Sequence, residues 1–170
     1  MQAPAAISRR LDLFATTPTV GGLMVLCEEN YGALMRLAPG LPSLRGRLAS
    51  RCAGQPDLYI EIIDQAPYTT TLRLTHRFAD LDPSAGSSGG LEPNALLRAY
   101  HDAGQVEVLD LRQTILPLHS AYHPPALAAK WKVNLFLSKW LGWCVREGHR
   151  FPCGARQAAA DPYSELLSAS

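Results

Sequence analysis

Two positions four apart carry the first chemistry. Lys130 and Asn134 open the run Lys130-Trp-Lys-Val-Asn-Leu-Phe-Leu-Ser-Lys-Trp-Leu-Gly-Trp-Cys144, which holds all three tryptophans. On a helix they stand one turn apart, so an ammonium and an amide can reach one ligand. The plainer alternative has Lys130 laying its stem along the helix while Asn134 bonds a strand end. Tyr100-His101-Asp102 sets an imidazole beside a carboxylate. Asp102 at the start of a turn would cap its own backbone. As a site, His101 would serve as acid/base or anion ligand. Asn30 lies at the edge of an apolar helix face, a less usual place for an amide.

Other sets are weaker. His119-x-x-x-His123 has the spacing of two zinc ligands, but Pro117 and Pro124-Pro125 break any helix there, and no metal is assigned. Cys27-Glu28 places a thiol in the middle of an apolar face, where a cysteine without a base is inert. Ser87-Ser-Gly-Gly90 lacks the lysine and following helix of a phosphate loop. No catalytic residue and no cofactor are assigned.

The elements that must position these groups follow from periodicity. Leu23, Cys27, Tyr31, Leu34 and Ala38 recur at helical spacing, with Thr19 as cap and Pro39-Gly40 as stop. Residues 44–52, 57–63 and 68–78 alternate in the manner of strands. Residues 95–101 and 106–111 flank Asp102-Ala-Gly-Gln105, which reads as a hairpin. Pro124-Pro125 opens the last helix and Gly148 closes it, ~34 Å of helix at 1.5 Å per residue. The predicted fold is α+β: an antiparallel sheet of about five strands, order α-β-β-β-β-β-α, with both helices on one face. Residues 1–17 form a flexible N-terminal segment, 18–149 a single domain with a flexible Gly/Ser-rich loop at 80–94, and 150–170 a tail.

On the last helix Val133, Leu137, Trp140, Leu141 and Cys144 share one side, while Phe136 and Trp143 lie farther round. The arc is wider than one sheet covers. Packing by the first helix would absorb it, or Phe136 and Trp143 would mark a partner surface. Lys132, Lys139 and Arg146 repeat every seven residues on the outer side. They are a solvated face or, edged by the aromatics, a basic stripe fit for phosphate contact and base stacking, although nucleic acid is not the expected partner.

Composition narrows the classes. A chain of 170 residues, 47% apolar and of net charge +1, can bury a core and has no global field for nucleic acid or an anionic membrane. No signal peptide is visible and no run reaches the ~18 apolar residues of a membrane span, so the expected location is cytoplasmic. The four cysteines form no Cys-x-x-Cys pair and read as free thiols, a disulfide framework being the alternative.

Taken together, Cys27-Glu-x-Asn-Tyr-x-x-Leu-x-Arg-Leu-x-Pro39, Tyr68-Thr-Thr70, Arg98-x-Tyr-His-Asp-Ala103 with Glu107-Val108, and Lys130-x-x-x-Asn-x-Phe-Leu-x-x-Trp-Leu-x-x-Cys144 with Gly148 resemble the YqiB-like family of uncharacterised proteobacterial proteins. The resemblance spans residues 22–149 and includes Asn30, His101, Asp102, Lys130 and Asn134. His119 and His123 do not match it. The loop at 80–94 and both tails depart from it. The family supplies no catalytic residue. Its members stand in genomes beside a Nudix hydrolase and a cyclic-nucleotide phosphodiesterase, which implies nucleotide metabolism or signalling by association.

The resulting expectation is a non-enzymatic small-ligand-binding or regulatory protein. Its site would use Lys130, Asn134, Asn30, His101 and Asp102, with a nucleotide or another phosphorylated small molecule as ligand. One alternative is a nucleotide-acting hydrolase or transferase using His101. Another is a protein adaptor or homodimer through Phe136, Trp143, Lys132 and Lys139.

Overall fold

Thr19 begins the first helix by chemistry that its sequence position foretells. In the computed structural model, which describes residues 17–77, 93–112 and 126–153, α1 runs Val20–Leu37. The Thr19 hydroxyl accepts from the Gly22 N–H at 3.0 Å, satisfying a first-turn donor that the helix itself cannot. Its deepest residues are Leu26, Asn30, Ala33, Leu34 and Leu37. The predicted stripe is therefore turned: Leu23, Cys27 and Tyr31 are half-buried. Both stripes are apolar, and α1 meets the last helix as well as the sheet, so periodicity alone does not choose between them.

A 3-10 turn, Leu41–Ser43, leads into β1 (Arg47–Ser50), shorter than the 44–52 expected. β2 (Asp57–Gln65), β3 (Thr69–Arg77), β4 (Asn94–Tyr100) and β5 (Gln105–Arg112) follow. They form one antiparallel sheet in chain order, β1-β2-β3-β4-β5. Alternation sends Leu48, Ile60, Leu74 and Ala95 to one face, and register sets them side by side across four strands. Asp102 Oδ1 accepts from Ala103 N at 2.9 Å in the β4–β5 turn, and Gly104 takes φ +61.

The last helix, α2, runs Ala126–Arg146. Its end is a Schellman closure: His149 N bonds Cys144 O at 3.0 Å, Gly148 N bonds Val145 O at 3.2 Å, and Gly148 has φ +89. The chain then crosses to α1, where Phe151 N donates to Leu37 O at 2.7 Å and the Phe151 ring is buried. Leu34 and Leu37 of α1 and Leu137 and Leu141 of α2 join Leu58, Ile60, Leu72, Leu74 and Leu97 of the sheet in one core. This is the α+β order predicted. No helix among the described residues is long and apolar enough to cross a membrane.

Apart from residue 17, residues 93–94 and residues 150–153, the expected N-terminal segment, Gly/Ser-rich loop and tail lie outside the described residues. So do His119, His123 and Pro124-Pro125.

Candidate functional site

Helical spacing brings Lys130 and Asn134 to one end of α2, opposite the first turns of α1 and the start of the edge strand β5. The three elements bound a cavity of about 200 Å³. Leu23, Met24 and Cys27 line it from α1, and Val106 and Val108 from β5. Its polar lining is Lys130, Asn134, Glu107 and Gln105, with Tyr100 beside them. Lys130 Nζ stands 3.7 Å from Glu107 Oε1, and the Tyr100 hydroxyl donates to Glu107 Oε2 at 3.2 Å. The side chains of Lys130 and Glu107 are 62% and 43% exposed, so the pair contributes at most ~1 kcal/mol and can be re-paired.

Below the pair the amides lock the helices together. Asn134 Nδ2 donates to Lys130 O at 2.9 Å. Asn30 Nδ2 donates to Asn134 O at 3.0 Å and, more weakly, to Asn134 Oδ1 at 3.4 Å. The Cys27 thiol also reaches that Oδ1, at 3.8 Å. Asn30 is 1% exposed and Asn134 4%, so these bonds are made where water cannot replace them. Asn30 Oδ1 is buried and has no partner among the described residues. Burial, with help from the Glu107 charge, pushes the Cys27 thiol up, so it stays protonated.

Lys130, Asn134 and Asn30 thus come together. His101 and Asp102 do not line the cavity. His101 Nδ1 lies 3.0 Å from the Tyr31 hydroxyl and Nε2 2.8 Å from Thr70 Oγ1, with the Tyr31 ring edge-on. Thr70 in turn bonds Gln65, whose Nε2 donates to Leu41 O and Leu44 O at 2.9 and 3.2 Å. This chain ties α1, the 3-10 turn and the sheet. Burial lowers the His101 pKa, partly offset by the Asp102 charge. Asp102 itself is exposed and caps its turn.

Sequence reasoning passed over a second polar cluster at the other end of α2. Trp140 Nε1 donates to His76 Nδ1 at 2.8 Å, and His76 Nε2 lies 3.9 Å from Cys144 Sγ. His149 packs on His76 at 5.6 Å between ring centroids. Its Nδ1 is 3.1 Å from Ser50 Oγ and 3.6 Å from Cys52 Sγ. Burial, then the neighbouring His149, lowers the His76 pKa to about 4, and burial pushes the Cys144 thiol up to about 12. With Nδ1 accepting from Trp140, a neutral His76 carries its proton on Nε2 and turns no lone pair toward Cys144. No three His, Cys, Asp or Glu among the described residues are arranged to hold a metal ion. The available signal was alternation: His76 occupies the same strand face as Leu72 and Leu74.

Phe136 and Trp143 are half-buried against the core. Trp143 meets His76 edge-on at 5.1 Å, and Phe136 lies 6.2 Å from the Trp140 ring. Lys132 and Lys139 are exposed on the outer side of α2.

Comparison with known proteins adds kinship. A family described as "Protein of unknown function (DUF1249)" matches residues 33–150. The uncharacterised protein YqiB of Escherichia coli K12 is 29% identical over 137 residues, which cover 78% of this chain and 92% of the relative. YqiB of Escherichia coli O157:H7 matches to the same extent. No solved structure matches.

Proposed function

This chain belongs to the DUF1249 family of proteins of unknown function, and from that premise we propose that it is a cytoplasmic, non-enzymatic protein that binds a small ligand, with a regulatory role. The observation that carries the reading is the cavity between α1, α2 and β5, apolar inside and furnished with Lys130, Glu107 and Asn134. A concave apolar site with a few convergent polar groups is the usual form of a small-molecule site.

The non-enzymatic part of the proposal draws its support from the described lining of that cavity. Cys27 is a protonated thiol, and no histidine among the described residues lines the space. The hydrolase or transferase alternative depends on His101, whose ring nitrogens meet the hydroxyls of Tyr31 and Thr70, with no carboxylate to set its tautomer. A nucleotide is a poor occupant. Lys130 is the one cation lining the cavity among the described residues, and Glu107 beside it opposes a phosphate. The volume, about 200 Å³, is below the roughly 300–1,000 Å³ of sites for drug-sized ligands. The adaptor alternative loses support because Phe136 and Trp143 already have intramolecular neighbours.

The test is a thermal-shift screen of the full chain against a metabolite library, repeated on Leu23→Trp, which fills the cavity from a half-buried position. A true ligand at a hundredfold over Kd stabilises the native chain by ~2.7 kcal/mol, and the variant should lose that gain. A folded native chain that no compound stabilises, or a binder indifferent to Leu23→Trp, contradicts the proposal.

A further inference from the structure

Granting that the cavity is a ligand site, we infer that it takes a small zwitterion with an apolar tail, namely a free α-amino acid whose side chain is aliphatic or thioether. The inference starts from charge. Among the described residues, the ionic groups lining the cavity are one ammonium, Lys130, and one carboxylate, Glu107, 3.7 Å apart. A ligand of either net charge that meets its partner is opposed by the other group at almost the same distance. An α-amino acid carries both signs on one carbon, so its ammonium meets Glu107 while its carboxylate meets Lys130.

The details of the pair favour that exchange. Both side chains are more than two-fifths exposed, so both can turn toward a ligand without first leaving a buried position. The Tyr100 hydroxyl already holds Glu107 Oε2, which leaves Oε1 to accept from an incoming ammonium. Lys130 has three N–H donors and one carboxylate neighbour. The amide of Asn134 is occupied by Lys130 O, Asn30 and Cys27, so it shapes the floor without competing for the ligand's polar end.

The remaining wall selects the tail. Leu23, Met24, Val106 and Val108 offer aliphatic and thioether surface and no further charge. A cavity of about 200 Å³ suits a group the size of a leucine or methionine side chain better than a fused ring system bearing sugar and phosphate.

Calorimetric titration of the full chain tests this with five probes: L-leucine, L-methionine, 3-methylbutylamine, 4-methylpentanoate and guanosine monophosphate. L-Leucine or L-methionine should bind, and the two fragments, each lacking one charge, should bind at least about tenfold more weakly. Lys130→Met and Glu107→Gln, both at exposed heads and checked for fold by circular dichroism, should each weaken amino-acid binding by a similar factor. A fragment that binds as well as L-leucine, binding untouched by either variant, or a nucleotide that binds where amino acids do not would overturn the zwitterion while leaving a small-ligand site standing. If no probe binds, the zwitterion is likewise overturned. The wider reading then stands or falls on the library screen with Leu23→Trp.

Discussion

His76 is a titratable ring held in an apolar and aromatic shell, and its pKa near 4 has a direct consequence for stability. The unfolded chain titrates histidine near ~6.5. Below that pH the unfolded state takes up a proton that the folded His76 refuses. The contribution of a neutral His76 is therefore complete above pH ~6.5 and lost as pH falls toward 4, at ~1.4 kcal/mol per pKa unit or about 3 kcal/mol in all. His149 and His101, also lowered by burial, act in the same direction. Urea midpoints between pH 7.5 and 4.5 should fall, and His76→Asn, which keeps an acceptor for Trp140, should flatten the slope. A native chain indifferent to pH across that window would contradict the burial argument.

The buried amides make a second residue-scale prediction. Asn30→Leu removes the donor to Asn134 Oδ1, leaves the thiol of Cys27 as its remaining partner, and should cost ~1–3 kcal/mol. The Asn30→Leu/Asn134→Leu double variant should lose less than the sum of the single losses, measured by denaturant unfolding, because no buried amide is then orphaned. Strict additivity would deny the contact. Spacing along one helix was enough to pair Lys130 with Asn134. It said nothing of Asn30 meeting Asn134 or of Glu107 meeting Lys130, because those contacts join elements remote in sequence. The same limit applies to His101: its type suggested chemistry, and only the fold brings the Tyr31 and Thr70 hydroxyls to its two ring nitrogens.

At the scale of elements, alternation was legible because one sheet face is buried and a one-residue slip would expose Leu58, Ile60, Leu72 and Leu74 together. The orientation of α1 was not, because it carries two apolar stripes and only the position of α2 decides which goes inward. The crossing from α2 to α1 was also invisible, since one aromatic in a weakly patterned tail gives no period. Gly148 links the two scales. Its φ of +89 closes α2 and points His149 to Phe151 back across α1. Gly148→Ala should cost about 1 kcal/mol or more in urea unfolding and loosen amide protection at Phe151 in hydrogen exchange. Unchanged protection there would show that the closure does not hold the crossing.

At the scale of the whole molecule, two helices on one sheet face leave a gap where α1, α2 and the edge strand β5 meet. Polar groups from α2 and β5 converge on that gap, whereas the histidine cluster at the other end of α2 is closed by its own rings. The central claim is that the gap binds a small zwitterion with an apolar tail. The most direct measurement is a ¹H–¹⁵N correlation titration of the full chain with L-leucine. The account predicts shift changes confined to residues 23–27, 105–108 and 130–134. Changes centred on Phe136 and Trp143, or scattered without a focus, would contradict it.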